Sequence, residues 1–267
     1  MKKVFYFVFF LVVFYNSFAD VVVSLSSNIH INWTKGLIIA DYSSKTGFLV
    51  GKEYFRGVLD LKNLVKREIM NEMFSTIRNL PFDYSKNVND VFDIFPEKKT
   101  LLVSLLDRND IKDFRYFSGK VMARYVLEIY GENGIFNILR LPSIPRSYSE
   151  FLNLSEHKEY TGLLISVKNM KFNVSLSVRI LSESGKVIYS YADYRGRDRY
   201  IYFFNSLKSA INSYIFGNNI LYTIPVRIEG DNMSDIVLDD ATVEKILSLQ
   251  ENHDIFFSGK VGIIIDS

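Results

Sequence analysis

Between Glu53 and Tyr130 the hydrophobic period of this chain changes from that of a helix to that of a strand. That change constrains what the N-terminal half can become. Val58, Leu61, Leu64, Val65, Ile69, Met73, Ile77 and Leu80 fall mostly three or four residues apart, with Lys62, Lys66, Arg67, Glu68 and Glu72 between them. The spacing predicts one amphipathic helix over 53–80 with a single buried stripe. Gly57 weakens its first turn, and Pro81 ends it, because the residue before proline is pushed out of the helical region. From Lys120 to Ile129 the pattern alternates instead. Val121, Ala123, Tyr125, Leu127 and Ile129 are predicted to point inward, and Lys120, Met122, Arg124, Val126 and Glu128 outward. A helix with one apolar stripe and a sheet with one apolar face each need a cover, so the expected pairing is a long helix on an antiparallel sheet.

Other segments extend this α+β reading. Val21–Ser24 is a short apolar strand candidate, and Ile29–Ala40 reads as strands turning near Lys35-Gly36. Asp83–Lys99 is polar and loop-like, with a short helix at Val88–Ile94, followed by the apolar run Thr100–Leu106. Glu132-Asn-Gly134 marks a turn, and Ile135–Leu139 reads as a further strand. The proline- and serine-rich stretch Leu141–Ser149 is the best linker in the chain. Beyond it, strands are expected at Thr161–Val167, Leu176–Ser182, Lys186–Tyr191, Ile220–Ile228, Ile236–Leu238 and Lys260–Ile265. Helices are expected at Phe204–Phe216, terminated by Gly217, and from Asp239 or Asp240 to Gln250, with Val243, Ile246 and Leu247 inward. The division that follows is a signal peptide over 1–19, an N-terminal α+β domain over 20–145, a linker over 146–158, and a β-rich α/β domain over 159–267. The fold class is α+β: an N-terminal antiparallel sheet packed with one long helix, then a second mixed β/α unit ending in strand-helix-strand.

The first residues read as an export signal. Lys2 and Lys3 precede the apolar run Val4–Tyr15, and Ser17-Phe18-Ala19 places small residues at the −3 and −1 positions of a cleavage site before Asp20. The run is short for a membrane span, and no second one approaches that length. The expected location is therefore the periplasm, with association at the outer membrane left open. The chain has no cysteine. That removes disulfides, thiolate nucleophiles, Cys-ligated metals and lipidation at the cleavage site, and it leaves stability to the core. There are 32 basic and 30 acidic residues; without Lys2 and Lys3 the formal balance is zero, which argues against a nucleic-acid partner. The densest basic segment, Tyr191–Tyr200, contains Asp193 and Asp198 and reads as a solvated loop after a hairpin.

A search for chemistry finds no catalytic, cofactor-binding or metal-binding residue to name. His30, His157 and His253 stand in no metal-ligand spacing and read as surface or half-buried side chains. No Gly-x-Ser-x-Gly elbow, Walker loop or Gly-x-Gly-x-x-Gly turn occurs. Asp239-Asp240 is better explained as a helix cap than as an acid pair, and Asp107–Asp110 and Glu229–Asn232 as plain turns. Trp33, the only tryptophan, reads as a core plug beneath the long helix. Tyr160-Thr161-Gly162 is a place for close backbone approach.

Three blocks carry a likeness to a known family. Tyr160-Thr161-Gly162 opens a strand that is followed by Arg179-Ile-Leu, Gly185-Lys186 and Tyr189 in a hairpin turning at Glu183–Lys186. Asn32, Trp33, Thr34, Gly36 and Ala40 form a second block, though Ser43–Gly47 is a poorer match to the glycine-rich loop expected next. Asp239, Asp240, Ala241, Gly259, Val261 and Ile263 form the third. Together they resemble secreted bacterial envelope proteins related to flagellar assembly protein T and its small-lipoprotein relatives. The resemblance implies a non-catalytic exported protein working by protein–protein contact in flagellar or envelope assembly. Its expected partners are other envelope or flagellar proteins, or a second copy of the chain, with peripheral membrane contact left open and no cofactor. The rival expectations are an exported carboxylate-dependent hydrolase, which needs a deep acid-lined pocket, and a small-ligand or peptidoglycan-binding module, which needs an aromatic groove.

Overall fold

The computed structural model describes residues 19–47, 54–142, 146, 148, 158–196 and 198–265. The export signal, most of the 146–158 linker and His157 lie outside the described residues. The fold is α+β. Strands β1 (Val22–Ser24), β2 (Ile29–Asn32) and β3 (Leu37–Lys45) begin an antiparallel sheet. Gly36, at φ +69°, makes the turn expected at Lys35-Gly36. Helix α1 (Tyr54–Ile77) follows, then α2 (Val88–Ile94) and α3 (Pro96–Arg108). Strands β4 (Ile111–Phe117) and β5 (Lys120–Glu128) complete a sheet of order β1-β2-β3-β5-β4.

Helix α1 buries Val65, Ile69, Met73 and Ile77 against this sheet, the stripe the 3.6-residue period predicts. The side chains of Tyr42 and Ser26 add hydrogen bonds to Glu68 and Glu72 of the helix. Three details differ from expectation. The helix continues through Gly57, Leu64 is 45% exposed, and the helix stops at Ile77 rather than Leu80. Pro81 still sets the exit: it forms a bridge with Asn87, and the chain turns through Arg78–Leu80 to reach it. Asn87 then caps α2 in a reciprocal capping box with Asp90. In β5 every inward and outward assignment over 120–128 holds.

Ile135–Leu139 is a correction: it is a helix, α4, not a strand. Ile135, Phe136 and Leu139 are all buried, and a five-residue apolar run carries no period by which helix and strand can be told apart. Gly134 leads into it, and the Phe136 amide donates to the Ile129 carbonyl.

The C-terminal half holds two small sheets. Strands β6 (Gly162–Ser166), β9 (Tyr202–Phe204), β10 (Ile220–Thr223) and β13 (Val261–Ile264) form an all-parallel sheet of order β10-β6-β13-β9. Strands β7 (Ile180–Ser182), β8 (Val187–Tyr189), β11 (Arg227–Glu229) and β12 (Asp235–Leu238) form a mixed sheet of order β11-β12-β7-β8. The hairpin β7–β8 turns at Gly185, φ +82°. The segment read as one strand, Ile220–Ile228, is divided between the sheets. Pro225 lies in the gap, where a residue without an N–H cannot continue a ladder. The helix expected over Phe204–Phe216 is only α5 (Leu207–Asn212), capped by Ser206, because Phe204 already belongs to β9. Helix α6 (Asp240–Leu247) is capped by Asp239 and buries Val243, Ile246 and Leu247 as expected. A 3-10 turn over Gln250–His253 and a short α7 (Asp254–Phe257) lead into β13.

The two halves share one core. A single cluster of buried residues runs from Ile31 and Met73 to Phe203 and Ile263. The backbone joins them as well: the Leu176 and Ser177 amides donate to the Pro81 and Phe82 carbonyls at 3.1 and 2.6 Å.

Candidate functional site

The residues singled out by sequence are mostly built into the scaffold. Asp239 accepts from the Thr242 amide at 2.8 Å and from its hydroxyl at 2.7 Å. Burial alone would raise the Asp239 carboxyl, but these bonds outweigh it and hold the group below its ordinary value. Asp110 accepts from the Ile111 amide and pairs with Lys62 at 3.1 Å. Asn232 donates to the Asp83 and Lys86 carbonyls, so the Glu229–Asn232 turn ties the second half to the first. Among the described residues no group of three or more His, Cys, Asp or Glu is placed to hold a metal ion.

One expectation needs correction and a second holds with a partner not foreseen. His253 is buried rather than at the surface or half-buried: it is 6% exposed, its Nε2 lies 3.1 Å from the Leu247 carbonyl, and its ring packs on Tyr148. Trp33 is a core residue, but its ring partner is Phe203 of β9, edge-on at 5.7 Å, so it plugs the junction between the halves. At 3% exposure it lines no open groove. Gly162 does mark a close approach, since a Cβ there would stand 2.5 Å from the Phe216 Cβ.

The segment Tyr191–Tyr200 departs furthest from expectation. Arg195, Gly196 and Asp198 are exposed, but Asp193, Arg199 and Tyr200 are buried. The Asp193 side chain is fully buried and accepts from the Ser190 amide at 2.9 Å and from Arg146 at 2.5 Å. The Arg199 guanidinium is buried and donates to the Thr34 carbonyl at 2.7 Å and to the Trp33 carbonyl. It lies over the rings of Tyr130 and Tyr202 at 4.7 and 5.2 Å. The Tyr200 hydroxyl donates to the Leu176 carbonyl and accepts from the Val178 amide. Burial pushes the Tyr130 hydroxyl up to about 12, with the Arg199 charge working against the rise. Sequence reasoning missed this knot. The signal available was the interleaving of Arg199 with Tyr191, Tyr194, Tyr200 and Tyr202, which suits rings stacked on a guanidinium.

Asp235 is a buried acid whose carboxyl is held above its ordinary value. Burial raises it, the Arg179 guanidinium opposes that rise, and the negative charges of Asp83 and Glu229 add to it. Arg179 binds it through Nε at 3.1 Å and stacks on Tyr84 at 3.8 Å. Neither Asp83 nor Asp235 lines the two grooves on the N-terminal sheet. One groove, of about 340 Å³, is bounded by Leu37, Arg108, Lys112, Val126 and Glu128. The other, of about 400 Å³, holds Asp41, Asp113, Arg115, Met122 and Arg124. Its acids are neutralised where they stand: Arg124 binds Asp41 at 2.6 Å, and Arg115 binds Asp113 at 2.9 Å.

The open features are sheet edges. Among the described residues, strand β10 is hydrogen-bonded only to β6. Tyr222 on the strand and Ile224 just beyond it are 46 and 58% exposed, whereas the Val226 amide already donates to the Val237 carbonyl of β12 at 2.8 Å. Tyr222 stands in register with Leu164, on the sheet face where Phe216, Phe204 and Ala210 form a separate small core.

Residues 162–267 match a bacterial family model, that of Treponema pallidum Tp0624, second domain. The match starts at the first residue of β6 and takes in both C-terminal sheets. The chain is similar to that domain over this stretch, and the matched model is not that of flagellar assembly protein T. No curated protein matches the chain.

Proposed function

We propose that this is a non-catalytic exported protein that acts through protein–protein contacts in flagellar or cell-envelope assembly. The observation that carries the reading is the β10 edge. It offers main-chain groups that have no strand partner among the described residues, beside the exposed apolar side chains of Tyr222 and Ile224, the arrangement by which a sheet takes up a partner's strand. The resemblance of the Tyr160–Tyr189 and Asp239–Ile263 blocks to the flagellar assembly protein T relatives supports the assembly role. Export is supported by the N-terminal signal pattern and by how the fold begins. Asp20 binds Asn32 at 2.8 Å and Lys35 at 2.7 Å, and the Val21 amide donates to Thr34 at 2.8 Å, whereas Ala19 is exposed. Cleavage between Ala19 and Asp20 would remove nothing that these bonds use. No helix among the described residues is long and apolar enough to cross a membrane.

Crosslinking in cells followed by affinity capture of the tagged chain tests the reading, with the N-terminus of the captured protein sequenced. Enrichment of envelope or flagellar components by the native chain, lost in Tyr222→Asp and Ile224→Asp, is the expected result. Capture that is unchanged in both variants removes the β10 edge from the reading. A retained N-terminal segment removes the cleaved signal.

A further inference from the structure

One end of the N-terminal sheet gathers exposed rings and cations that have no acidic partner among the described residues. The β4–β5 hairpin turns there through Ser118 and Gly119, both at positive φ. The end of β3 is held to that turn, the Thr46 amide donating to the Gly119 carbonyl at 2.6 Å. The Tyr116 hydroxyl donates to the Gly47 carbonyl at 3.0 Å, and the Tyr116 ring packs at 6.1 Å from Tyr54, the first residue of α1. The turn, the strand end and the helix start therefore form one tip.

From this tip Phe55 and Phe117 project at 84 and 78% exposure. Lys45 and Lys120 face each other across β3 and β5, and Phe117 is the register partner of Lys120 on the other side. Two like charges directly opposite on neighbouring strands destabilise a sheet, and an exposed aromatic beside them adds unfavourable contact with water. Lys45, Lys120 and Arg56 are exposed, and none has an acidic partner among the described residues. Asp113 lies four residues back along β4 from Phe117 and is taken by Arg115; Asp60, one turn beyond Arg56 on α1 and beside Thr46 and Gly47, is a single acid against the three cations.

We propose that this tip is a membrane-surface contact that takes an anionic bilayer. Phe55 and Phe117 enter the boundary between headgroups and acyl chains, and Lys45, Arg56 and Lys120 lie on the lipid phosphates. Exposed rings flanked by long cationic side chains suit that boundary, where the ring is withdrawn from water while the ammonium or guanidinium reaches the phosphates. A protein partner would supply acidic side chains at fixed positions; a bilayer needs only a projecting tip with net positive charge. The contact goes beyond the assembly role and requires no partner protein, so either can fail alone.

The test uses the purified chain beginning at Asp20 with vesicles of phosphatidylcholine, with and without phosphatidylglycerol. The expected result is flotation with the anionic vesicles only, falling as salt rises. Lys45→Gln with Lys120→Gln should weaken it by roughly twenty-five-fold, about fivefold for each cation. Because the chain has no cysteine, Phe117→Cys carries an environment-sensitive dye without competition. Its emission should shift to the blue on anionic vesicles, whereas a dye at Thr223→Cys on β10 should not respond. Circular dichroism identifies any variant that fails to fold. Equal flotation of native and Gln variants, binding to neutral vesicles alone, or equal response of both dyes would overturn the proposal, as would binding only to an acidic protein.

Discussion

Arg199 joins the two halves of the chain, and among the described residues no carboxylate balances it. Burial lowers its pKa, but the group stays charged, so the Thr34 and Trp33 carbonyls and the tyrosine rings carry the compensation. Removing the side chain strands two buried carbonyls, so Arg199→Ala should cost about 3 kcal/mol. Arg199→Lys should be little better. An ammonium is a point donor, strongly hydrated, and cannot span both carbonyls as the guanidinium fork does. Urea unfolding measures both, and a Lys variant as stable as the native chain would exclude the fork argument. Among the described residues the Tyr130 hydroxyl has no partner of good hydrogen-bond geometry, and the adjacent Arg199 Nε likewise has none, so the two meet as charge and dipole rather than as an aligned bond. Tyr130→Phe should therefore be neutral or stabilise by up to about 1 kcal/mol in the same assay.

At the scale of elements, glycine explains how the parallel sheet accepts its cover. Phe216 lies across the sheet, and a Cβ at Gly262 would stand 2.6 Å from its ring and 2.7 Å from Leu164. Both obstacles are side chains that can shift, so Gly262→Ala should cost about 1–3 kcal/mol. At Gly162 the obstacle includes the Phe216 carbonyl at 2.8 Å, so Gly162→Ala should cost more. Thermal unfolding ranks the two, and the reverse order would rule out the backbone explanation. The cap of α6 gives a pH test. The Asp239 carboxyl titrates below its unfolded value, so its contribution is fully present above about pH 4 and fades as pH falls through the folded value. Asp239→Asn should keep most of the cap and lose that acid dependence, while Asp239→Ala should lose about 1 kcal/mol at neutral pH. Elements with a period or a cap were legible in the sequence: α1 from its apolar stripe, β5 from alternation, and α6 from Asp239, whereas the Asn87–Asp90 box that starts α2 went unread. Helix α3 carried signals left unused, Pro96 at its start and Leu102, Leu105 and Leu106 on one side. Helix α4 carried none, because its burial is decided by Tyr191 and Tyr200, which pack around Phe136 from a distant part of the chain, together with the nearby Tyr130. The β10 edge was hidden in an apolar run, since which residues of Ile220–Ile228 stay exposed depends on the sheet each end joins.

Over the whole molecule, the same residues that confound a local reading bind the halves together. Trp33 is packed on Phe203, Arg199 on the β2–β3 turn, Asn232 on the Asp83–Lys86 loop, and Leu176 and Ser177 on Pro81 and Phe82. Each contact spans the boundary near 146–158, and the buried cluster shows no seam there. A half that folded alone would have to expose the Trp33–Phe203 surface and leave buried main-chain groups without partners, each costing about 1–3 kcal/mol. We therefore expect one cooperative unfolding transition. The molecule carries its own reporter, because its only tryptophan sits at the junction. Trp33 fluorescence follows that contact, while far-ultraviolet circular dichroism follows the secondary structure of both halves. In urea the two curves should coincide, and Arg199→Ala should move both by the same amount. If the halves are independent units, circular dichroism will show two steps with Trp33 following one of them, and Arg199→Ala will separate the curves further.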